Sequence, residues 1–369
     1  VILAGHVAGR LAGLTADDAF MDATYLTITG IADVVNSCWS EDLCEALGIP
    51  MEKLPRIVRS TEVVGSLTLE FARVCGLLAG TPIVAGAGDQ PAGFLGAGLV
   101  EPGMLIDVAG TYPVLSFCTD RFSPDSEGRT VETFVSARPG LWHPLTLIIG
   151  GGLTHSWFAG MTLHQAANGN GDVASQYARL DRAASALPPG SEGLLFLPHL
   201  GGRACPPDTS MRGAWLGLNW AHSEVHLYRS ILESIAYDYV LSLRALMKLY
   251  PDSLPDRIRV IGGGARSTLW TQIKADVLGL VYDRVEPDEP APLGAALIAG
   301  EGVGVFEDLA EIAPGWTTVV ETTEPDPKRH EQYQEYLQAY EYALNQTSPV
   351  FRRLTGIATG PAVRGLHDA

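Results

Sequence analysis

Four short glycine-rich turns, each after an apolar run typical of a strand, carry the residues best suited to chemistry. They are 83–88, which ends at the acid Asp89, and 108–111, 149–152 and 261–267. Backbone N–H groups freed by glycine approach phosphate oxygens closely, and a helix that begins there adds a favourable dipole. Together these turns predict a nucleotide-dependent transferase in which Asp89 deprotonates an acceptor hydroxyl. Each turn alone is weak evidence, because a glycine turn after a strand is more often plain connectivity.

Several familiar nucleotide and hydrolase motifs are absent. A Walker loop requires Gly-Lys-Ser/Thr, and none of the four lysines follows a glycine. The dinucleotide fingerprint lacks its third glycine, since Gly86-Ala87-Gly88 is followed by Pro91. The triplets H-R-D and D-F-G and the motifs G-x-S-x-G and H-E-x-x-H do not occur. The remaining architecture that binds phosphate through hairpin loops is the actin-like, two-domain ATPase fold.

The elements that must position these turns alternate in an α/β manner. Residues 104–109 and 114–118 predict a hairpin around Gly110 and Thr111. Strand 258–261 leads through glycines into a helix over 268–278 with Ser267 as N-cap. Further helices are predicted over 70–78, closed by Gly80, over 224–247, and over 328–344.

Composition bounds the class of protein. With 369 residues the chain is long enough for two domains, and no apolar run reaches the roughly 18–20 residues of a membrane span. A net charge of -17 argues against nucleic acid or an anionic membrane as a partner. The five cysteines include no C-x-x-C pair, which favours a reduced, cytoplasmic protein without a zinc site or a disulfide framework.

The chain begins with Val1 and shows no signal peptide. It opens directly on an apolar helical pattern closed by Gly13, so we expect the N-terminal portion of a longer protein to be missing. The α/β pattern is interrupted at Val100-Glu101-Pro102-Gly103, which predicts a first domain over 1–102 and a second over 103–354. The glycine- and proline-punctuated residues 355–369 are expected to form a tail.

Taken together, the motifs resemble the FGGY carbohydrate kinases, whose best-known branches are xylulokinase and glycerol kinase. The resemblance rests on G-A-G-D-Q at 86–90, D-V-A-G-T at 107–111, and the I-G-G-G-A-R-S-T-L-W stretch at 261–270 with A-D-V-L-G at 275–279. Stretches such as D-A-T at 22–24 and P-L-G-A-A at 292–296 keep the family order. The resemblance implies the α/β, actin-like (ribonuclease H-like) two-domain ATPase fold with an incomplete N-terminal domain.

The resemblance also implies roles for particular residues. Asp89 matches the catalytic base that takes the proton from a sugar hydroxyl, and Gln90 matches a position that contacts the polyol. The ATP-binding positions fall in the glycine loops, at Gly110, Thr111, Gly152, Gly263, Gly264 and Ser267. The alternative interpretation of Asp89 is a helix N-cap before Pro91.

The implied reaction is ATP-dependent phosphorylation of a sugar or polyol, xylulokinase-like, with Mg²⁺ and with no metal ligand from the chain itself. The implied partner is a small-molecule sugar or polyol, with a homodimer as an oligomeric state to test.

The chain departs from the family pattern at three places. The first phosphate loop, Asp-x-Gly-Thr, is not in this chain, Gly201-Gly202-Arg203 replaces Gly-Glu-Arg, and Tyr112 is bulkier than the usual serine. Two other classes therefore stay open. One is a catalytically silent relative that senses nucleotide or sugar, and the other is an actin-like ATPase acting as a chaperone or filament.

Overall fold

The computed structural model describes residues 2–163, 173–204, 206–253 and 255–358. The strands are β1 Phe20–Asp22, β2 Ala32–Asp33, β3 Cys38–Trp39, β4 Arg56–Val58, β5 Val63–Ser66, β6 Pro82–Val84, β7 Leu105–Val108, β8 Val114–Phe117, β9 Glu132–Val135, β10 Trp142–Leu147, β11 Leu195–Leu197, β12 Ala214–Leu216, β13 Arg257–Ile261, β14 Val281–Glu286 and β15 Thr318–Thr323. The helices are α1 Leu3–Ala12, α2 Leu26–Thr29, α3 Glu41–Leu47, α4 Leu69–Cys75, α5 Asp89–Gly96, α6 Gly151–Leu163, α7 Val173–Ser185, α8 Glu224–Leu249, α9 Thr268–Leu278, α10 Ala291–Gly302, α11 Leu309–Ile312 and α12 Pro327–Ala358.

Seven strands form one mixed sheet in the order β15-β14-β13-β7-β8-β10-β9. At its centre β13 is parallel to both β7 and β14, while β7 and β8 form the antiparallel hairpin that the sequence predicts. Successive side chains of a strand point to opposite faces, so both faces of this sheet must be covered. This sheet is therefore the frame of the C-terminal part of the chain.

The two faces of the sheet have separate apolar cores. Leu105 and Leu115 contribute to a large core shared with α8, α9 and α12, where α8 buries fifteen residues along its length. Their neighbours Ile106 and Val114 contribute to a second core that includes Phe94 of α5. Helix α5 thus packs on the sheet of the C-terminal part although it precedes that sheet in sequence.

Helices α5 and α10 approach each other closely through glycines. A Cβ atom on Gly96 would lie 2.0 Å from the carbonyl oxygen of Pro290, and one on Gly294 would lie 1.8 Å from that of Ala92. Only hydrogen at these positions permits the contact. The turn before α5 is therefore anchored on its C-terminal side by tightly packed helices.

The first 86 residues have a much smaller frame. Their six strands form only two-stranded sheets, β1 with β4, β2 with β3, and β5 with β6. One small core of Phe20, Val58, Val64 and Ala85 lies among them. Among the described residues, this part has smaller sheets and a smaller apolar core than the C-terminal part.

Most of the predicted elements are confirmed, with two corrections. The helix predicted over 70–78 ends earlier, because Gly76 adopts φ 72° and caps α4 after Cys75. The last helix continues past the expected end at Leu344 to Ala358, because Phe351 extends its buried stripe beyond Pro349. The first residues of the predicted tail are therefore helical, and 359–369 lie outside the described residues. Among the described helices, none is both long and apolar enough to cross a membrane.

Candidate functional site

The loops after β7 and β13 meet because the two strands are parallel and in register. Val108 is paired with Ile261, so both strands end at the same edge of the sheet. The amide of Ala109 donates to the Ile261 carbonyl at 2.9 Å, and the amide of Gly264 donates to the Ala109 carbonyl at 2.9 Å. Two loops that lie 150 residues apart in sequence are thereby interlocked.

A cavity of about 570 Å³ opens at this edge. All six residues that the resemblance assigns to ATP line it: Gly110, Thr111, Gly152, Gly263, Gly264 and Ser267. Asp89 and Gln90 are not among its lining residues. The structure therefore gathers the predicted nucleotide-loop residues in one place and leaves the predicted acceptor residues elsewhere.

The lining glycines serve different purposes. A Cβ atom on Gly152 would lie 2.5 Å from the Gly110 carbonyl oxygen, and one on Gly264 would lie 2.9 Å from the Trp270 ring, so both positions require glycine for packing. A Cβ atom on Gly263 would meet nothing within 4 Å. A side chain there would enter open space beside the cavity without disturbing the loop.

The N-terminus of α6 holds the Gly110–Thr111 loop directly. The amide of Gly152 donates to the Gly110 carbonyl at 3.1 Å, and the amide of Leu153 donates to the Thr111 carbonyl at 3.1 Å. Such first-turn amides lack partners within their own helix. These two amides bind the Gly110–Thr111 loop instead. Gly152 therefore contributes to the site by letting the backbone of α6 approach the backbone of that loop closely.

A chain of side-chain hydrogen bonds spans the opposite wall. The Ser267 hydroxyl caps α9 by accepting from the Trp270 amide at 3.1 Å and donates to Asp181 at 2.7 Å. The Tyr228 hydroxyl donates to the other oxygen of Asp181 at 2.6 Å. Because that hydroxyl proton is used, its oxygen accepts from His155 Nε2–H at 2.8 Å.

His155 is neutral at physiological pH. Burial lowers the pKa of its imidazole to about 4, and the nearby Asp181 carboxylate opposes that shift only in part. Burial, and secondarily Asp181, raises the pKa of the Tyr228 hydroxyl, which stays protonated. The wall therefore presents uncharged aromatic groups around one carboxylate.

The sequence did not reveal the aromatic part of this wall. The rings of His155 and Tyr177 stack with their centroids 4.1 Å apart, and Trp270 lies 6.0 Å from His155. One signal was available, since His155 and Ser156 follow Gly152 by three and four residues and share its helix face. Tyr177 and Asp181 belong to α7 and carry no local motif.

A buried ion pair lies beneath the loops. Lys274 of α9 is paired with Asp107 of β7, both are fully inaccessible to solvent, and the Tyr239 hydroxyl also donates to Asp107. The ammonium lies 4.9 Å from the centre of the Trp270 ring. This lysine links the two elements that carry the loops and does not face the cavity, whose lining includes one cation, Arg266, paired with Asp288.

Asp89 is the exposed first residue of α5, and the N-cap is Gly88. The alternative interpretation of Asp89 as the N-cap is therefore wrong. Its carboxylate accepts only from the Gln90 amide, at 2.9 Å, among the hydrogen bonds of the described residues. Partial burial, and then the charge of Asp89, raises the pKa of the neighbouring Tyr25 hydroxyl. Gln90 Oε1 is buried and has no partner within the described structure.

No group of three or more histidine, cysteine or acidic side chains is arranged to hold a metal ion among the described residues. Four cysteines in those ranges, Cys38, Cys44, Cys75 and Cys118, are free thiols, and Cys205 lies outside the described residues.

Comparison with family models gives two matches along the chain. The model described as the FGGY family of carbohydrate kinases, C-terminal domain, matches residues 125–302. The model for the N-terminal domain of the same family matches residues 10–96. The two matches are in family order and together cover most of the chain.

Individual relatives agree with these matches. Xylulose kinase of Bacillus subtilis is 29% identical over 312 residues, which are 84% of this chain and 60% of that protein. Autoinducer-2 kinase of Escherichia coli K12 is 26% identical over 342 residues, 88% of this chain and 62% of the relative. The crystal structure of xylulose kinase from Rhodospirillum rubrum superposes with a TM-score of 0.82 at 26% identity, covering 94% of this chain and 67% of that one. The chain thus spans about 60% of the length of the curated relatives it matches.

Proposed function

Since the chain belongs to the FGGY family of carbohydrate kinases, we propose that its protein phosphorylates a sugar or polyol hydroxyl with ATP, and that Asp89 is the general base. The observation that supports ATP binding is the single cavity lined by all six residues assigned to ATP. Those residues come from three separate loops, so their convergence is a property of the fold and of no single motif. Phosphoryl transfer depends mainly on such positioning.

In the proposal the adenosine end of ATP lies on Gly263 and Gly264 and the phosphates extend towards Gly110 and Thr111. The uncharged rings of His155, Tyr177 and Trp270 line the same cavity and suit a planar base. The open space at Gly263 leaves room for a ligand to approach the backbone.

On the acceptor side, Asp89 has the exposure that a proton acceptor requires. When the acceptor hydroxyl attacks the γ-phosphate, its proton passes to an oxygen of Asp89. Gln90, with its buried and unpaired Oε1, is proposed to contact the polyol.

Asp89→Asn in the full-length protein tests the assignment. It should lower phosphoryl transfer by about 10²–10⁴-fold while ATP binding stays nearly unchanged, because the nucleotide contacts lie elsewhere. Asp42→Asn is the matched control, since Asp42 is an exposed acid in the first turn of α3. Near-normal turnover of Asp89→Asn would contradict the proposal.

Mg²⁺ belongs to the proposal only as a companion of ATP. The described residues offer no cluster of three ligands, and the one acid lining the cavity, Asp181, already accepts from Tyr228 and Ser267. Any Mg²⁺ that the reaction requires would then be held by the nucleotide and water. Turnover that is insensitive to EDTA would contradict the requirement.

We propose a ketopentose or a similar open-chain polyol as the acceptor, because xylulose kinases are prominent among the relatives. A panel of sugars and polyols assayed on the full-length protein would decide. Activity confined to an acceptor that is neither a sugar nor a polyol would contradict this part. The cytoplasmic location and the homodimer stay predictions.

A second candidate is a relative that binds nucleotide without turnover. All six residues assigned to ATP line one cavity, whereas Asp89 and Gln90, the residues assigned to the acceptor, do not line it. Calorimetric binding of ATP by a full-length protein that transfers no phosphoryl group to any acceptor would favour this candidate.

A further inference from the structure

A buried carboxylate lies in the first part of the chain, away from the nucleotide cavity. Asp22 ends β1 and is 2% exposed. Strand β1 is parallel to β4 with Asp22 opposite Val58, so Ser60, two residues further, lies at the same end. Nothing in the proposed reaction uses Asp22.

Asp22 organises two hydroxyl groups. One of its oxygens accepts from the amide of Thr24 at 3.0 Å and also from the Thr24 hydroxyl. The other oxygen accepts from the Ser60 hydroxyl at 2.7 Å. Thr24 is itself buried, at 1% exposure. Because the hydroxyl proton of Thr24 is donated to Asp22, its oxygen is left to accept from another group.

That other group is the peptide immediately before Asp89. The amide of Gly88 donates to Thr24 Oγ1 at 2.9 Å across 64 residues of sequence. The same turn is tied a second time, where the amide of Gly86 donates to the Ser60 carbonyl at 3.0 Å. A Cβ atom on Gly88 would lie 3.5 Å from Thr24 Oγ1 and 3.6 Å from the Tyr25 ring, so the turn passes close to both side chains.

Keeping this network carries an energetic cost. Burial raises the pKa of Asp22 to about 6, against the opposing effect of the hydrogen bonds from Thr24 and Ser60. A buried carboxylate with this environment is destabilising on its own account at neutral pH. Thr24 and Ser60, which donate hydroxyl protons to Asp22, also accept hydrogen bonds from the turn before Asp89.

We propose that Asp22 and Thr24 are positioning residues that fix the Gly86–Gly88 turn and thereby aim the Asp89 carboxylate at the acceptor hydroxyl. The inference rests on the proposed role of Asp89. A general base must lie within hydrogen-bond reach of its proton, and misplacement by about 1 Å is enough to cost up to about a hundredfold in rate. Helix α5 fixes Asp89 from the C-terminal side, and the Asp22–Thr24 pair fixes it from the N-terminal side.

The first test measures hydrogen exchange of the amides of residues 86–88 in the chain without ligand. Thr24→Val keeps the side-chain shape and removes the acceptor, so exchange should be faster by about tenfold. Thr24→Ser should restore protection. Thr27→Val is the matched control, because it removes a hydroxyl that donates to the Thr133 carbonyl and not to this turn. Unchanged exchange in Thr24→Val overturns the proposal.

If Thr24→Val fails to fold, as judged by circular dichroism, Ser60→Ala takes its place. It frees one oxygen of Asp22 and leaves the Thr24–Gly88 bond in place, so exchange at Gly88 should rise by about threefold. No change in a folded Ser60→Ala protein contradicts the coupling between Asp22 and the turn.

The second test measures kinetics in the full-length protein. Thr24→Val should lower kcat by about ten- to a hundredfold with the KM for ATP unchanged, and Thr24→Ser should recover it. Full activity of Thr24→Val beside an inactive Asp89→Asn overturns the positioning role alone. Full activity of Asp89→Asn overturns the proposed function and the positioning role with it.

Discussion

The first 86 residues and the C-terminal part built on the seven-stranded sheet position their site residues by different means. The loops around the proposed nucleotide cavity are fixed by a seven-stranded sheet with an apolar core on each face. The turn before Asp89 is fixed by a few hydrogen bonds in a region of two-stranded sheets with a core of four buried residues. Within this chain, the comparison teaches that the turn carrying the proposed base can be held by directional polar contacts where little apolar burial is available.

The difference is also visible at the surface of the first part. Leu3, Val74 and Leu78 are each about 80% exposed, although such side chains usually contribute to cores. Within this chain, these side chains therefore add little to an apolar core, in contrast to those that cover the seven-stranded sheet.

The largest expected effect comes from the frame of the nucleotide cavity. Lys274→Met removes the partner of Asp107 and leaves a fully buried charge, so the free energy of unfolding should fall by about 3–5 kcal/mol. Adding Asp107→Asn should recover part of the loss. Arg56→Ala, which breaks an exposed pair with Glu62 in the first part, should cost only about 0–1 kcal/mol. Urea denaturation measures all three, and equal losses for Lys274→Met and Arg56→Ala would break the comparison.

The next effect is the pH dependence of stability that arises from the buried carboxylate of Asp22. The pKa of Asp22 is about 6 in the folded chain against an ordinary 3.8, so the native state takes up a proton before the unfolded state does. Its contribution to stability is present at low pH and is lost as the pH rises through 6. From pH 7 to pH 4 the wild type should gain about 2 kcal/mol relative to Asp22→Asn.

The matched control for that measurement is Asp18→Asn. Hydrogen bonds from Thr15 lower the pKa of the exposed Asp18, so its contribution is lost as the pH falls. The difference between wild type and this variant should therefore change in the opposite direction. Parallel pH curves for wild type and Asp22→Asn would contradict the account of the buried network.

A smaller effect tests the cavity itself. Gly263→Val adds a side chain where a Cβ meets no protein atom within 4 Å, so the fold should tolerate it while the nucleotide loses space. We expect ATP affinity to fall by about tenfold, which is about 1.4 kcal/mol. Gly315→Val makes the same change at an exposed glycine with equally open surroundings and should leave affinity unchanged. Equal affinities of the two variants for ATP would show that the Gly263 loop has only a structural role.

The sequence predicted the loops because their signal is local. Glycine after an apolar run marks the end of a strand, and parallel strands bring such ends together. The same reasoning predicted the hairpin at Gly110 and the start of α9 at Ser267. These features depend on a few neighbouring residues, whereas the six positions assigned to ATP were taken from the family resemblance.

The remainder of the site depends on contacts between distant segments. Asp181 meets Ser267 across 86 residues, and Thr24 meets Gly88 across 64. Thr24, Gly88 and Ser267 lie in motifs, but no motif says which distant residue each of them contacts. The packing of α5 against α10 likewise needs Gly96 and Gly294 at one crossing point. Their partners are defined only by the folded chain.

The most direct test of the account is a hydrogen-exchange footprint of this chain with and without a non-hydrolysable ATP analogue. The account predicts slower exchange at residues 109–111, 151–156 and 262–267, with the turn at 86–88 unchanged, because the nucleotide occupies the cavity of the C-terminal frame. It is contradicted if the analogue binds and leaves those three segments unprotected.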